Sequence, residues 1–304
     1  MSTVKNYLSL IKFSHTIFAM PFAMIGFFLG FFSLRRLLGS EGEFVSSVYH
    51  IENPQGLVLL FVLVVLCMVF ARSAAMAFNR YLDRSFDAMN PRTAIREIPK
   101  GIISANSALR FVIINCIAFI VCTWFINPLC FVLSPVALLV VLGYSYTKRF
   151  TALCHIILGL GLSLAPIGAY LAVTGHFAVL PVLFSFAVVF WVSGFDIIYA
   201  LQDEAFDKSQ QLHSIPAALG KSKALNVSEL LHLLSAACVI AAGVYGQFHM
   251  LYWIGVAVFA GMLVYQHSVV KPDDLRRVNL AFMTANGIAS VVFAVFVIAD
   301  LFWY

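Results

Sequence analysis

The sequence predicts an all-α integral membrane protein of nine transmembrane helices, and three observations carry that prediction. Of the 304 residues, 62% are hydrophobic and only 11% charged, against about 45–50% and about 25% in soluble domains. The apolar residues gather in nine long runs that are nearly free of charge, and a bilayer core about 30 Å thick needs roughly 20 helical residues per crossing. The basic residues then fall almost wholly on one side of those runs, as the positive-inside rule requires of a multi-pass protein.

The spans run from Phe13 to Leu34, Gly56 to Phe78, Leu109 to Ile126, Leu129 to Tyr146, Leu153 to Val173, Val179 to Tyr199, Ala224 to Val244, Leu251 to Val270 and Val278 to Ala299. With a cytoplasmic N-terminus, the basic residues of the tail, of the loops after spans two, four, six and eight and of the adjoining helix ends number seventeen of the 19; Arg35 and Arg36 make up the remainder. A missed span would scramble the sidedness of every later loop. Lys5 and Lys12 precede a run too long for a signal core, with no small-residue cleavage site after it, which predicts a retained first helix. The outer connection from Leu34 to Gly56 carries Glu41, Glu43 and Glu52 and reads as a mobile loop or interfacial piece. Six cysteines lie singly with no CxxC spacing and read as packing residues. His155, His176, His232, His249 and His267 are scattered and read as packing or interface residues. The net charge of +5 resides in the cytoplasmic loops and needs no nucleic acid; anionic lipid and a phosphorylated substrate are the partners it suits.

The connections after spans two and six are long and, with the adjoining helix end, hold Asp83, Asp87, Glu97, Asp196, Asp203, Glu204 and Asp207, half of the 14 acidic residues. Function is expected there. The two connections resemble each other: Asp83-x-x-Phe86-Asp87 is followed by Ile98-Pro99, and Asp203-x-x-Phe206-Asp207 by Ile215-Pro216. The repeat suggests one membrane domain over residues 1–304, made of two related halves that face each other across a cavity.

Residues four apart share a helix face, so Asn79, Asp83 and Asp87 form one oxygen-bearing stripe. Asp196, Tyr199, Asp203 and Asp207 advance by three, four and four and form a second. Like charges at this spacing repel unless a cation lies between them. Hard oxygen ligands suit magnesium, and the His and Cys mixture expected of zinc is absent from both stripes. The competing reading is a set of solvated helix-end carboxylates balanced by Arg80, Arg84 and Lys208; two clusters of matched spacing in a chain this poor in charge favour the cation. Arg92 and Arg96, beside the first stripe, suit a diphosphate, which needs forked donors as well as metal. Lys148 and Arg149 either do the same or anchor the loop after span four. Arg72 lies two turns before Asn79, about 10 Å deeper in the membrane at 1.5 Å per residue. An ionisable group at that depth faces a cavity or a partner. It either pairs with Asp83 or Asp196, or holds the carboxylate of an acidic aromatic substrate.

These residues resemble the UbiA-type membrane prenyltransferases, and within them the 4-hydroxybenzoate polyprenyltransferases. The resemblance covers essentially the whole chain and is carried by Phe13 to Ala23, by Arg72 through Asp87 to Arg92-Thr93, Arg96 and Pro99, by Tyr144 to Arg149, and by Asp196, Tyr199, Asp203 and Asp207 followed by Leu212-His213-Ser214-Ile215-Pro216. Many relatives have Asp directly after the motif Asn, where this chain has Arg80. The resemblance implies nine transmembrane helices around a central cavity and a cytoplasmic cap from the loops after helices 2 and 6, with Mg2+ and diphosphate beneath it and the prenyl tail leaving sideways into lipid. It implies polyprenyl diphosphate and an aromatic acid as substrates in quinone biosynthesis, in a bacterial-type inner membrane. Magnesium would be held by Asn79, Asp83, Asp87, Asp203 and Asp207. The diphosphate would lie on Arg92, Arg96, Lys148 and Arg149, and the acceptor carboxylate on Arg72. Asp83, Asp196, Tyr199 and Asp203 are the candidate catalytic side chains, with Asp196 a candidate for the ring proton. A dihydroxynaphthoate acceptor for menaquinone would suit Arg72 equally. From another class, an ion-coupled secondary transporter would also use membrane carboxylates, though its site is expected at the bilayer midplane rather than at helix ends among bases.

Overall fold

A computed structural model describes residues 3–12, 20–40 and 54–303. The start of the first predicted span, residues 13–19, and the segment 41–53 with Glu41, Glu43 and Glu52 lie outside the described residues. The described chain forms α1 (Thr3–Leu10), α2 (Met20–Ser40), α3 (Pro54–Leu82), α4 (Arg84–Met89), α5 (Ala105–Ile126), α6 (Pro128–Thr147), α7 (Cys154–Thr174), α8 (Val179–Ala200), α9 (Glu204–Ser209), α10 (Ile215–Leu219), α11 (Lys221–Tyr245), α12 (Met250–Val269) and α13 (Asn286–Trp303). Among the described residues, eight helices are long and apolar enough to cross a membrane, and α2 adds a shorter apolar stretch, Met20–Arg35. The chain is a multi-pass membrane protein, and eight of the predicted spans coincide with helices to within a few residues. One boundary differs: α2 continues through Arg35 and Arg36 to Ser40. A helix's backbone hydrogen bonds do not depend on apolar side chains, so the helix outlasts the hydrophobic run that announced it.

Helix ends are fixed by side chains that satisfy the orphan backbone groups. Ser104 opens α5 by accepting from the Ser107 amide at 3.2 Å. Asn127 opens α6 by accepting from the Cys130 amide at 2.8 Å, while its own amide donates to the Leu171 carbonyl at 2.9 Å and so pins the α5–α6 turn on the end of α7. The start of α12 lacks a capping side chain of its own. Asp300 of α13, buried, supplies one by accepting from the amides of His249 at 2.9 Å and Tyr252 at 3.1 Å.

α7 is the hub, packing on α2, α6 and α8; α8 packs in turn on α11, α3 on α5, and α12 on α13. In a bilayer, helix contact depends on small residues that let backbones approach. A Cβ on Gly26 would stand 2.0 Å from the Pro166 carbonyl oxygen, and one on Gly159 would stand 2.5 Å from that of Val189. The largest core gathers Phe22, Phe184, Trp191, Tyr252, Phe259 and Phe293 from α2, α8, α12 and α13. Two of its polar donors share one acceptor: the Trp191 indole donates to Asn286 Oδ1 at 2.9 Å, and Gln266 donates to the same oxygen at 2.8 Å. Asn286 follows a π-helical turn, Leu280–Ala285, which holds the Phe282 ring 4.4 Å from that of Tyr199. The short helices α4, α9 and α10 lie together at one end of the bundle, where Arg149 donates to the Leu82 carbonyl and the His213 amide to that of Lys148.

Candidate active site

The first acidic stripe leaves the end of α3. Asp83 breaks the helix at φ −87° and ψ 7°, yet the four-residue ladder runs on, with Asp83 N bonded to Asn79 O at 2.9 Å and Asp87 N to Asp83 O at 2.7 Å. Asn79, Asp83 and Asp87 therefore keep one face, and the Asn79 amide donates to Asp83 Oδ2 at 3.1 Å. Asp83 lies 3.6 Å from the Arg149 guanidinium, and Asp87 accepts from Arg96 at 2.6 Å. Burial raises both carboxyls, that of Asp87 to about 6. The second oxygen of Asp87 is buried without a hydrogen-bond partner, an arrangement that costs roughly 1–3 kcal/mol or more for a charged group.

The second stripe leaves the end of α8 through a 3-10 turn, Leu201–Asp203, into α9. Arg92, from the first connection, reaches across to it. Its Nε donates to Asp203 Oδ1 at 3.0 Å, its Nη2 pairs with Asp203 Oδ2, and its Nη1 donates to the Tyr199 hydroxyl at 2.8 Å. Asn90 adds a bond to Asp203 Oδ1 at 3.2 Å. Asp207 is fully buried between Lys148 at 2.7 Å and the Ser214 hydroxyl at 2.8 Å. Each of the four aspartates thus faces a basic residue that the sequence assigned to a diphosphate: Arg149, Arg96, Arg92 and Lys148. No three His, Cys, Asp or Glu side chains among the described residues are gathered closely enough to hold an ion between them.

Below the stripes, α3, α5, α6 and α7 enclose a cavity of about 390 Å³ whose walls are apolar except chiefly for Arg72 and Tyr144. Asp83 is turned to Arg149 and Asp196 to His155, so among the described residues neither pairs with Arg72, whose Nε is buried without a hydrogen-bond partner. Tyr144 lines the same cavity as Arg72 and is within electrostatic reach of it, of Asp83 and of Asp196.

His155 is no mere packing residue. Its Nδ1 lies 2.7 Å from Asp196 Oδ2, and its Nε2 accepts from the Ile215 amide at 3.3 Å. Tyr144 could have been found in the sequence, because it stands four residues before Lys148 on one helix face. His155 gave no such signal: it meets Asp196 across 41 residues of sequence, through the packing of α7 on α8.

The profile of the UbiA prenyltransferase family matches residues 44–288. The chain is 31% identical over 231 residues to a 4-hydroxybenzoate octaprenyltransferase of Aliivibrio salmonicida, covering 75% of this chain and 80% of that one. It is 30% identical over 223 residues to that of Tolumonas auensis, covering 73% and 78%. Among solved structures, the apo form of a UbiA homolog from Aeropyrum pernix K1 superposes with a TM-score of 0.76 at 27% identity, over 95% of this chain and 97% of that one. A UbiA homolog from Archaeoglobus fulgidus, solved with GPP and Mg2+, has the same fold at a TM-score of 0.70 and 20% identity, over 97% and 99%. With the profile spanning most of its length, its helices in the same arrangement and two acidic stripes at one end of the bundle, this chain belongs to the UbiA prenyltransferase family of prenyl-transferring enzymes.

Proposed function

We propose that the protein transfers a polyprenyl group from polyprenyl diphosphate to the ring of an aromatic acid, 4-hydroxybenzoate, as a step of quinone biosynthesis. The observation that carries the reading is the junction at Arg72: an unpartnered guanidinium nitrogen at the boundary between an apolar cavity and two acid-and-base stripes. A prenyl chain suits the cavity, a diphosphate suits the stripes, and an acidic ring suits the cation between them. The relatives named above as octaprenyltransferases act on 4-hydroxybenzoate by name, and the Archaeoglobus homolog was solved with a prenyl diphosphate and Mg2+.

The donor set fits a divalent cation. Asn79, Asp83, Asp87, Asp203 and Asp207 offer only hard oxygens, and the orphaned oxygen of Asp87 lacks the partner an ion would provide. These residues would hold magnesium, which would supply charge neutralisation to a departing diphosphate. The chain's own groups account for the rest. Arg92, Arg96, Lys148 and Arg149 exchange their aspartate partners for phosphate oxygens, which frees the carboxylates for the cation. Tyr199 steadies Arg92 through that exchange. Arg72 orients the acceptor by its carboxylate, so that a ring carbon beside the phenol faces the allylic carbon. Asp196 takes the proton that this carbon releases. In this reading residues 1–304 form one domain of two related halves, with the N-terminus and the stripes on the cytoplasmic side of a bacterial-type inner membrane.

The test is an assay of purified protein with one polyprenyl diphosphate, magnesium and a panel of aromatic acids. Magnesium-dependent C-prenylation of 4-hydroxybenzoate is expected. Preference for a dihydroxynaphthoate would move the acceptor assignment to menaquinone synthesis, and absence of transfer to any acid would overturn the proposal.

A further inference from the structure

We propose that His155 is a positioning residue of the transfer reaction, holding Asp196 as a carboxylate and aiming its second oxygen at the ring proton of the acceptor. The inference rests on the aromatic-transfer reading above and assigns a role to a side chain that touches neither substrate nor metal.

Two hydrogen bonds fix the protonation state of the imidazole. A backbone amide can only donate, so the Ile215 N–H at 3.3 Å requires a lone pair on Nε2. The ring proton of the neutral imidazole then resides on Nδ1, which donates to Asp196 Oδ2 at 2.7 Å. Asp196 receives that bond as an acceptor. Its Oδ1 takes no protein partner among the described residues, and while the imidazole is 3% exposed the carboxylate is 24% exposed. One oxygen is thus committed to the histidine, and the other is left free on a carboxylate that is itself open.

The frame around the pair is rigid. The Ser193 hydroxyl lies 2.6 Å from the Val189 carbonyl and 3.1 Å from that of His155, its one proton shared between them, which joins α7 to α8 at the level of the dyad. One turn further along α7, Gly159 lets the two backbones touch. On the other side the Ile215 amide opens α10, whose first turn is capped by Ser214. An imidazole that orients a carboxylate from behind is the arrangement by which outer groups tune an inner one. In the reaction, the bond from the allylic carbon to the diphosphate oxygen breaks and that carbon joins the ring. The C–H electron pair then returns to the ring as the proton passes to Asp196 Oδ1, and from there to water. No oxidant or reductant is needed.

The test uses the full chain in detergent, with ring-deuterated and ordinary acceptor. With Asp196 held ready, proton loss in the wild type is expected to be faster than the steps before it, so the two acceptors should react equally fast. His155→Phe should lower kcat by about 10–100-fold, leave KM for the prenyl diphosphate unchanged, and make the deuterated acceptor slower as proton loss becomes limiting. His155→Asn places an amide N–H where Nδ1–H stood and should recover most of the rate and remove the isotope effect. Should His155→Phe fail to fold, Asp196→Asn must show the same isotope effect. Normal kcat in His155→Phe, a loss without an isotope effect, a loss that His155→Asn does not relieve, or an Asp196→Asn without the isotope effect would each overturn the assignment. A wild type inert toward every aromatic acid would instead overturn the transfer reading itself.

Discussion

In the proposed reaction Arg72 stands between the acceptor side of the site and the diphosphate side. A guanidinium that neutralised Asp83 would belong to the acidic stripe, but Asp83 is turned to Arg149 and Arg72 keeps a buried nitrogen without a partner. Truncating one member of a buried charge pair costs on the order of 2–5 kcal/mol, so Arg72→Ala is expected to weaken acceptor binding by about a hundredfold. The prenyl diphosphate constant should change little. Measuring both constants in the folded variant decides the matter: loss confined to the diphosphate would remove the carboxylate clamp. The sequence named Arg72 because a charge in an apolar run is conspicuous. Tyr144 is legible through its place four residues before Lys148, whereas His155 is an ordinary residue of an apolar helix until tertiary packing gives it a charged neighbour.

The helices that carry these groups are held in register by close backbone contact, and Gly159 is the point where α7 and α8 meet beside the His155–Asp196 pair. A methyl there would overlap the Val189 carbonyl oxygen at 2.5 Å and the Ser193 hydroxyl at 2.6 Å. Backbone cannot rotate aside as a side chain can, so Gly159→Ala should cost about 1–3 kcal/mol and part the two helices at the dyad. A lowered Tm together with a lowered kcat is the expected outcome. Gly261→Ala is the control: its Cβ would meet nothing within 4 Å, and Ala favours the helix by roughly 0.5–1 kcal/mol. Equal Tm shifts in the two variants would remove the argument. At this scale the sequence was most legible, because a bilayer imposes length and composition on each crossing. What it could not give was which helices touch, since Gly26 and Gly159 look like any other glycine in an apolar run. Nor could it find the end of α2, which continues beyond its apolar residues.

Across the whole molecule, the two acidic stripes come from connections that are far apart in sequence, and Arg92 of the first is bonded to Asp203 and Tyr199 of the second. The two connections are therefore joined through Arg92 and Asn90 before any substrate is considered. Four aspartates against four basic partners make the mouth of the cavity close to neutral, and a diphosphate with its divalent cations would enter as a nearly balanced addition. Such an exchange needs all its members: removing Asp83 leaves Arg149 without its carboxylate, and removing Asp203 releases Arg92 from the bridge. Groups that act as a unit give strongly non-additive losses. Asp83→Ala and Asp203→Ala are each expected to lower kcat by several orders of magnitude at saturating magnesium, with the double variant little worse than either single one. Independent sites would instead multiply their losses. Turnover of the three variants with the same prenyl diphosphate, after a thermal melt has confirmed folding, separates the two outcomes, and near-normal rates in either single variant would mean that the stripes do not form one site.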